Sequence, residues 1–246
     1  MILIKSPEEI EVMREGGGIL TEILSVVKDE VRAGIPTQVL EDLVVAEMER
    51  RGVTPSFKGY QGYPASVCVS INDEVVHGIP GQRTVGDGDV VSIDLGVYHK
   101  GFHTDAAVSV GVGAISKRAA SLIDVTHGCL IEGVKHARAG NYVGDISLAI
   151  QRYVETAGFS VVREYTGHGV GRALHEEPQV PNFAGNGKGP MLRVGMTLAI
   201  EPMVTTGDWR TKVEKNNWTV TTRDGSLSAH FEHTIAITDG EPVVVA

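Results

Sequence analysis

The sequence predicts an α+β chain in which two similar halves pack into one domain, residues 1–246. Three observations predict it. A pair of helical segments precedes a set of short, β-branched strands, and the same order of two helices and a strand set returns in the second half. No stretch between the halves has the length or composition of an interdomain linker.

The first helix opens at Ser6-Pro7-Glu8-Glu9. An N-cap serine, a proline at the first helical position and a glutamate three residues after the serine satisfy the opening backbone donors. Ile10, Met13, Leu20, Ile23, Leu24 and Val27 recur at helical spacing, and Gly34 with Pro36 closes the segment. Thr37 opens the second helix, with Leu40, Leu43, Val44 and Met48 inward and Gly52 at its end. Strands are predicted at 66–70, 89–97 and 102–110, where β-branched residues and glycine breaks replace charged helical faces. In the second half, helices are predicted over 117–138, with Leu122, Ile123, Leu130 and Val134 inward, and over 143–157, with Val143, Ile146, Ile150 and Val154 inward and Gly158 as the stop. Strands follow at 160–163, 197–200, 231–237 and 242–245, and the segments 185–190 and 212–217 read as loops.

A hydrophobic content of 42% suffices for a real core, and a formal charge of −9 argues against the broad basic face that nucleic acid or an anionic membrane requires. Cys68 and Cys129 form no C-x-x-C, so neither a disulfide framework nor a thiolate zinc site is expected, and a reducing cytoplasm is the simplest compartment. Lys5, Glu8 and Glu9 interrupt the N-terminal apolar residues, unlike a signal peptide, and no apolar run approaches the ~18–20 residues that span a bilayer.

Asp94 lies in Val-Val-Ser-Ile-Asp-Leu-Gly and Asp105 in Gly-Phe-His-Thr-Asp-Ala-Ala. A hairpin turning around His99-Lys100 predicts the two directly opposite each other on antiparallel strands, with Cβ atoms ~4.5–5.5 Å apart. In this apolar setting two such carboxylates repel unless a proton or a cation lies between them. Gly167, Gly169 and Gly171 surround His168, a spacing that lets backbone approach whatever the imidazole binds, and His175 follows in a separate turn. The stretch holds no G-x-G-x-x-G and no P-loop Lys-Ser/Thr, and His175-Glu176 begins no H-E-x-x-H because residue 179 is Gln. Glu201, in Leu198-Ala-Ile-Glu-Pro202, and Glu232, in Ala229-His-Phe-Glu-His-Thr234, stand in apolar surroundings where a carboxylate is costly unless paired or metal-bound. Pro202 marks a strand end of the kind that presents ligands. Asp94, Asp105, His168, Glu201 and Glu232 together offer four carboxylates and one imidazole, whose charge balances two divalent cations.

With these residues in place the chain resembles, essentially from end to end, the type I methionine aminopeptidases of the pita-bread metallopeptidase family. The resemblance is carried by Asn72-Asp-Glu-Val-Val-His-Gly-Ile-Pro80, the two aspartates, Tyr165-Thr-Gly-His-Gly-Val-Gly171, His175-Glu-Glu-Pro-Gln-Val-Pro181, Ile200-Glu-Pro202 and Phe231-Glu-His-Thr234, in this order and spacing. It implies an antiparallel sheet flanked by two helix pairs with pseudo-two-fold symmetry. It also implies removal of the N-terminal methionine from nascent proteins and peptides when the second residue is small. In the family five ligands hold two divalent metals, and they map onto Asp94, Asp105, His168, Glu201 and Glu232, with Glu201 also relaying a proton from the attacking water to the leaving amine. His77 and His175 match the two histidines on the substrate side, expected to stabilise the oxyanion. Tyr60, Tyr63, Cys68 and Trp218 match the methionine pocket, and the other histidines are expected to be structural or supporting.

An oxygen-rich set with one histidine admits Co, Mn, Fe or Zn, and the resemblance leaves a monovalent cation near the Asn72 turn as an open option. The expected partners are peptide and nascent-protein N-termini, with the ribosome an open one; the expected state is a cytoplasmic monomer of the short bacterial form, binding neither nucleic acid nor membrane. Thr166, Leu174 and His230 depart from the commonest pattern, which puts the shape of the pocket in question and not the metal site. A prolidase or aminopeptidase P of the same fold tends to be longer and to set its last acid in Arg-x-Glu-Asp, unlike Phe231-Glu-His-Thr234. A pita-bread binding module without activity loses metal ligands, and here all five positions are filled. No G-x-S-x-G or paired Cys–His arrangement supports a metal-free protease.

Overall fold

The computed structural model describes residues 1–185 and 187–246. Helix α1, Pro7–Glu30, starts as its sequence predicts: the Glu9 backbone N–H donates to Ser6 Oγ at 3.3 Å, and the Ser6 N–H donates to Glu9 Oε2 at 2.9 Å. Helix α2, Thr37–Arg51, ends on Gly52, whose φ of 69° is the left-handed conformation a helix C-terminus favours in glycine. Helices α3, Lys117–His136, and α4, Val143–Thr156, form the second pair.

Nine antiparallel strands make the main sheet. Seven run in the order Thr54–Pro55, Val90–His99, Phe102–Gly111, Glu232–Ala236, Thr197–Ile200, Thr166–Gly169, Glu176–Pro181; Cys68–Ile71 also pairs with Val90–His99, and Val243–Val244 with Glu232–Ala236. Val91, Ile93, Leu95 and Val97 pack with Leu20, Ile23, Leu40 and Val44 of the first helix pair. Leu198, Ile200 and Ile235 pack with Leu122, Leu130, Ile146 and Ile150 of the second. Each helix pair thus covers its own half of the sheet, the pseudo-symmetric plan expected. Because strand side chains alternate, Asp94, Gly96, Asp105 and Ala107 point to the face these helices leave free.

The central hairpin corrects one expectation. The turn is Lys100-Gly101, one residue later than predicted, since His99 pairs with Phe102. Lys100 and Gly101 have φ of 46° and 92°, the two left-handed residues that a tight hairpin turn requires. Asp94 therefore faces Ala107 and Asp105 faces Gly96, so the aspartates are diagonal neighbours and not opposite ones. The slip amounts to two residues, which preserves the face each side chain occupies.

A second correction concerns 212–217. Thr211–Val213 is a strand, paired with Val220–Thr222, which in turn pairs with Glu74–Val76. It is an edge strand with exposed Lys212 and Val213, and charge on an edge is how sheets discourage further pairing, so its composition imitates a loop. Only 214–217 turns, closed by the Glu214 N–H donating to the Thr219 carbonyl at 2.8 Å. A third small sheet joins Ser160–Val161, Met203–Thr205 and Ser228–His230. Of the loop predicted at 185–190, residue 186 lies outside the described residues. Among the described residues no helix is long and apolar enough to cross a membrane, and Cys68 and Cys129 are buried free thiols.

Candidate metal centre and active site

One row of the sheet runs Cys68, Asp94, Ala107, Glu232, each residue directly opposite the next. Asp105 lies two residues from Ala107 on the same face. The neighbouring row runs Thr234, Ala199, His168, and Glu201 stands two residues past Ala199, just beyond the strand that Pro202 ends. Register alone therefore gives all five predicted ligands one face. Ala107 between Asp94 and Glu232, and Gly96 opposite Asp105, leave space where the acids converge.

That space is a cleft lined by all five. Asp105, His168 and Glu232 each offer a ligand atom within 4.8 Å of the others. Glu201 Oε1 lies 3.4 Å from His168 Nε2. Asp94 Oδ1, Asp105 Oδ1 and Glu232 Oε1 are buried without a hydrogen-bond partner. One orphaned acceptor costs ~1–3 kcal/mol, and more if charged; three at one place fit the oxygen ligands of a cation.

Burial and mutual repulsion raise every carboxyl here. Burial pushes Asp94 up to about 7. Asp105 is raised by burial and then by Asp94, Glu201 by burial and then by Asp94 and Asp105, and Glu232 by burial and then by Asp105, Glu201 and Asp94. Burial pushes His168 down to about 3, so its contact with Glu201 is not an ion pair. Its Nδ1 lies 2.8 Å from the Gly169 carbonyl, which can only accept, so Nδ1 carries the proton and Nε2 presents a lone pair toward the acids. A backbone carbonyl fixing the tautomer in this way is the usual support of a metal-binding histidine.

His77 and His175 line the same cleft. His77 sits edge-on to Tyr165 and Trp218, and burial lowers its pKa to about 4. His175 Nδ1 lies 2.8 Å from Tyr60 Oη, and its ring centroid is 4.2 Å from that of His168. Beside the acids, Phe57, Tyr63, Ala65, Cys68 and Leu174 form a buried apolar cluster, with Tyr60 and Trp218 packed against it. Tyr63 is fixed by its hydroxyl, which donates to the Gly78 carbonyl at 3.0 Å. An oxygen-rich, metal-competent centre thus stands against an apolar wall.

Residues 11–239 match the model of metallopeptidase family M24. The chain belongs to that family. Over 245 residues it is 50% identical to the methionine aminopeptidase of Clostridium perfringens, with 100% of this chain and 98% of that one covered. The crystal structure of methionine aminopeptidase from Thermotoga maritima matches with a TM-score of 0.98 at 46% identity, over 100% of this chain and 99% of that one. A prolidase from Pyrococcus horikoshii shares the fold at a TM-score of 0.81, but at 20% identity and with only 63% of its length covered. Within M24 the chain therefore falls among the methionine aminopeptidases, hydrolases of pita-bread fold, and the prolidase likeness carries the fold alone. M24 membership implies use of a divalent metal.

All eleven site residues expected from the sequence line the one cleft, and so do Phe57 and Gln61, which were missed. Phe57 gave no signal. Gln61 did: it lies between Gly59 and Gly62 in a tight turn, where its φ of 48° is left-handed. Of the three departures, Leu174 is part of the apolar wall, and His230 is buried with Nε2 3.9 Å from Glu201 Oε2. Thr166 lies opposite Pro181 at the start of the His168 strand. At the Asn72 turn the side chain bonds Asp89 and Val90, and its carbonyl accepts from the Ser228 N–H at 2.7 Å.

The glycines around His168 have a different reason from the one expected. His168 lies on a strand, and a Cβ at Gly167 or Gly169 would overlap the carbonyl oxygen of Ala199 or Glu177. They admit neighbouring backbone, not a ligand. Gly167→Ala is expected to cost about 1–3 kcal/mol, or about 2–12 °C in Tm for a chain of this size, by calorimetry of the metal-free protein. An unchanged Tm would show that the strands separate freely.

Proposed function

We propose that this cleft removes methionine from the N-terminus of peptides and nascent proteins whose second residue is small, with two divalent ions held by Asp94, Asp105, His168, Glu201 and Glu232. The observation that carries the reading is the convergence of four carboxyls and a neutral imidazole on one face of the sheet, three buried oxygens without partners among them, next to an apolar wall. Ions bound there, whether Mn, Fe, Co or Zn, supply Lewis acidity that polarises the scissile carbonyl and lowers the pKa of water. Glu201, which stands just beyond the end of its strand and lines the cleft, takes a proton from the attacking water and passes it to the leaving amine. His77 and His175, kept neutral by burial, donate ring N–H groups to the developing oxyanion, and Tyr60 orients His175. Tyr63, Cys68 and Trp218, with Phe57 and Leu174, take the methionine side chain, whose thioether suits soft and aromatic surroundings. The substrate's free α-amine would also be taken by ions held by these five residues, which confines the reaction to the first residue.

Mass spectrometry of Met-Ala-Ser and Met-Lys-Ser incubated with metal-free and metal-restored protein tests the reading. Loss of methionine from Met-Ala-Ser alone, and only with metal, is expected. Equal cleavage of both peptides, or cleavage in chelator, would overturn it.

A further inference from the structure

Lys5 is a charged residue only 3% exposed, and its ammonium pairs with Glu176 Oε2 where the carboxylate side chain is 5% exposed. The chemistry above uses neither residue. Glu176 follows His175 directly, and its other oxygen, Oε1, accepts from the Ala173 N–H at 3.1 Å, closing the turn 173–176 that carries His175. Lys5 is fixed from the opposite side. Its own N–H donates to the Gly195 carbonyl at 2.8 Å, and the next residue, Ser6, caps α1. Ammonium and carboxylate meet over Gly171, where a Cβ would overlap Lys5 Cε and come within 3.2 Å of Glu176 Oε1. The Gly171 carbonyl in turn accepts from the His103 N–H at 2.7 Å.

We propose that the buried Lys5–Glu176 pair is a positioning device for His175, holding the turn 173–176 so that the imidazole faces the substrate carbonyl; this rests on the reading that His175 acts on substrate. Without the ammonium, Glu176 becomes a buried carboxylate lacking a counter-charge, a state costly enough to drive it toward water. Its turn away releases the Ala173 N–H and lets His175 move. A misplacement of ~1 Å in a group that acts in the transition state can cost about 10²-fold in rate.

The test compares Lys5→Met and Lys5→Met/Glu176→Leu, the double variant having neither an unpaired charge nor an acceptor for the Ala173 N–H, in the Mn²⁺-saturated enzyme hydrolysing Met-Ala-Ser, and Lys5→Met again in a His175→Ala background. Lys5→Met is expected to lower kcat about 10–100-fold with KM changed less than about threefold. The double variant, which leaves no charge unpaired, recovers most of the lost Tm but not kcat. In the His175→Ala background Lys5→Met changes kcat less than about twofold, since the group it positions is gone. Recovery of kcat together with Tm in the double variant, or an undiminished further loss in the His175→Ala background, would reduce the pair to a folding role and overturn the proposal. A His175→Ala enzyme with unchanged kcat would instead overturn the reading of His175 itself, and the proposal with it.

Discussion

Glu201→Gln is expected to lower kcat on Met-Ala-Ser by about 10²–10⁴-fold at saturating metal, the range that loss of a general base costs. The upper end is expected because the substitution removes two things at once. Glutamine cannot accept the proton of the attacking water, and it withdraws one of the four negative charges that balance the ions. The fold survives, since Gln is nearly isosteric and the Glu201 backbone carbonyl, not its side chain, accepts from Asn182 Nδ2 at 3.0 Å. Steady-state kinetics beside metal stoichiometry separates the two effects: at full occupancy the residual loss is the proton relay alone. A variant keeping more than about a tenth of kcat would leave Glu201 without either role.

The metal-free protein should lose stability as pH rises from 6.5 to 8. The four cleft carboxyls ionise near 4 in the unfolded chain, but burial and mutual repulsion hold them protonated to higher pH in the folded one, Asp94 to about 7. The folded state therefore binds more protons than the unfolded, so its stability falls with pH. Below about pH 6.5 the buried histidines act in the opposite sense. His77, His168 and His230 are held to about 4, 3 and 3, so the unfolded chain takes up their protons first, which offsets most of the carboxyl effect there. The steep fall therefore comes above pH 6.5, where the carboxyls act alone. Above it, each carboxyl that keeps its proton through the window costs about 2 kcal/mol, and the Tm of the apoprotein should drop by at least about 4 °C by pH 8. Saturating divalent metal replaces those protons and should abolish the drop, with affinity that rises with pH. Equal pH profiles with and without metal, by differential scanning calorimetry, would mean that the acids are not the ligands.

What was legible in the sequence was local or periodic. Ser6 and Glu9 lie within one turn of each other, so their capping box could be read directly, as could the helical spacing from Met13 to Val27. The shared face of Asp94 and Asp105 survived an error in the turn because only parity matters to it, whereas the residues opposite them depended on the left-handed dihedrals of Lys100 and Gly101. The five candidate ligands were singled out from motifs, but their convergence follows from pairings such as Ala107 with Glu232 and Ala199 with His168, which join distant segments. The same distance hid why Gly167 and Gly169 are glycines, since the crowding atoms belong to Ala199 and Glu177. Lys5 read only as an early charge, because Glu176 meets it through folding alone. Thr211–Val213 was hidden by an edge strand's polar composition.

The central claim is that Asp94, Asp105, His168, Glu201 and Glu232 form one cage for a pair of cations, and anomalous diffraction from crystals grown with Mn²⁺ tests it most directly. Two peaks about 3.5–4 Å apart, within bonding distance of all five side chains, are the predicted result. Manganese bound elsewhere, or any of the five turned away from the ions, would contradict it.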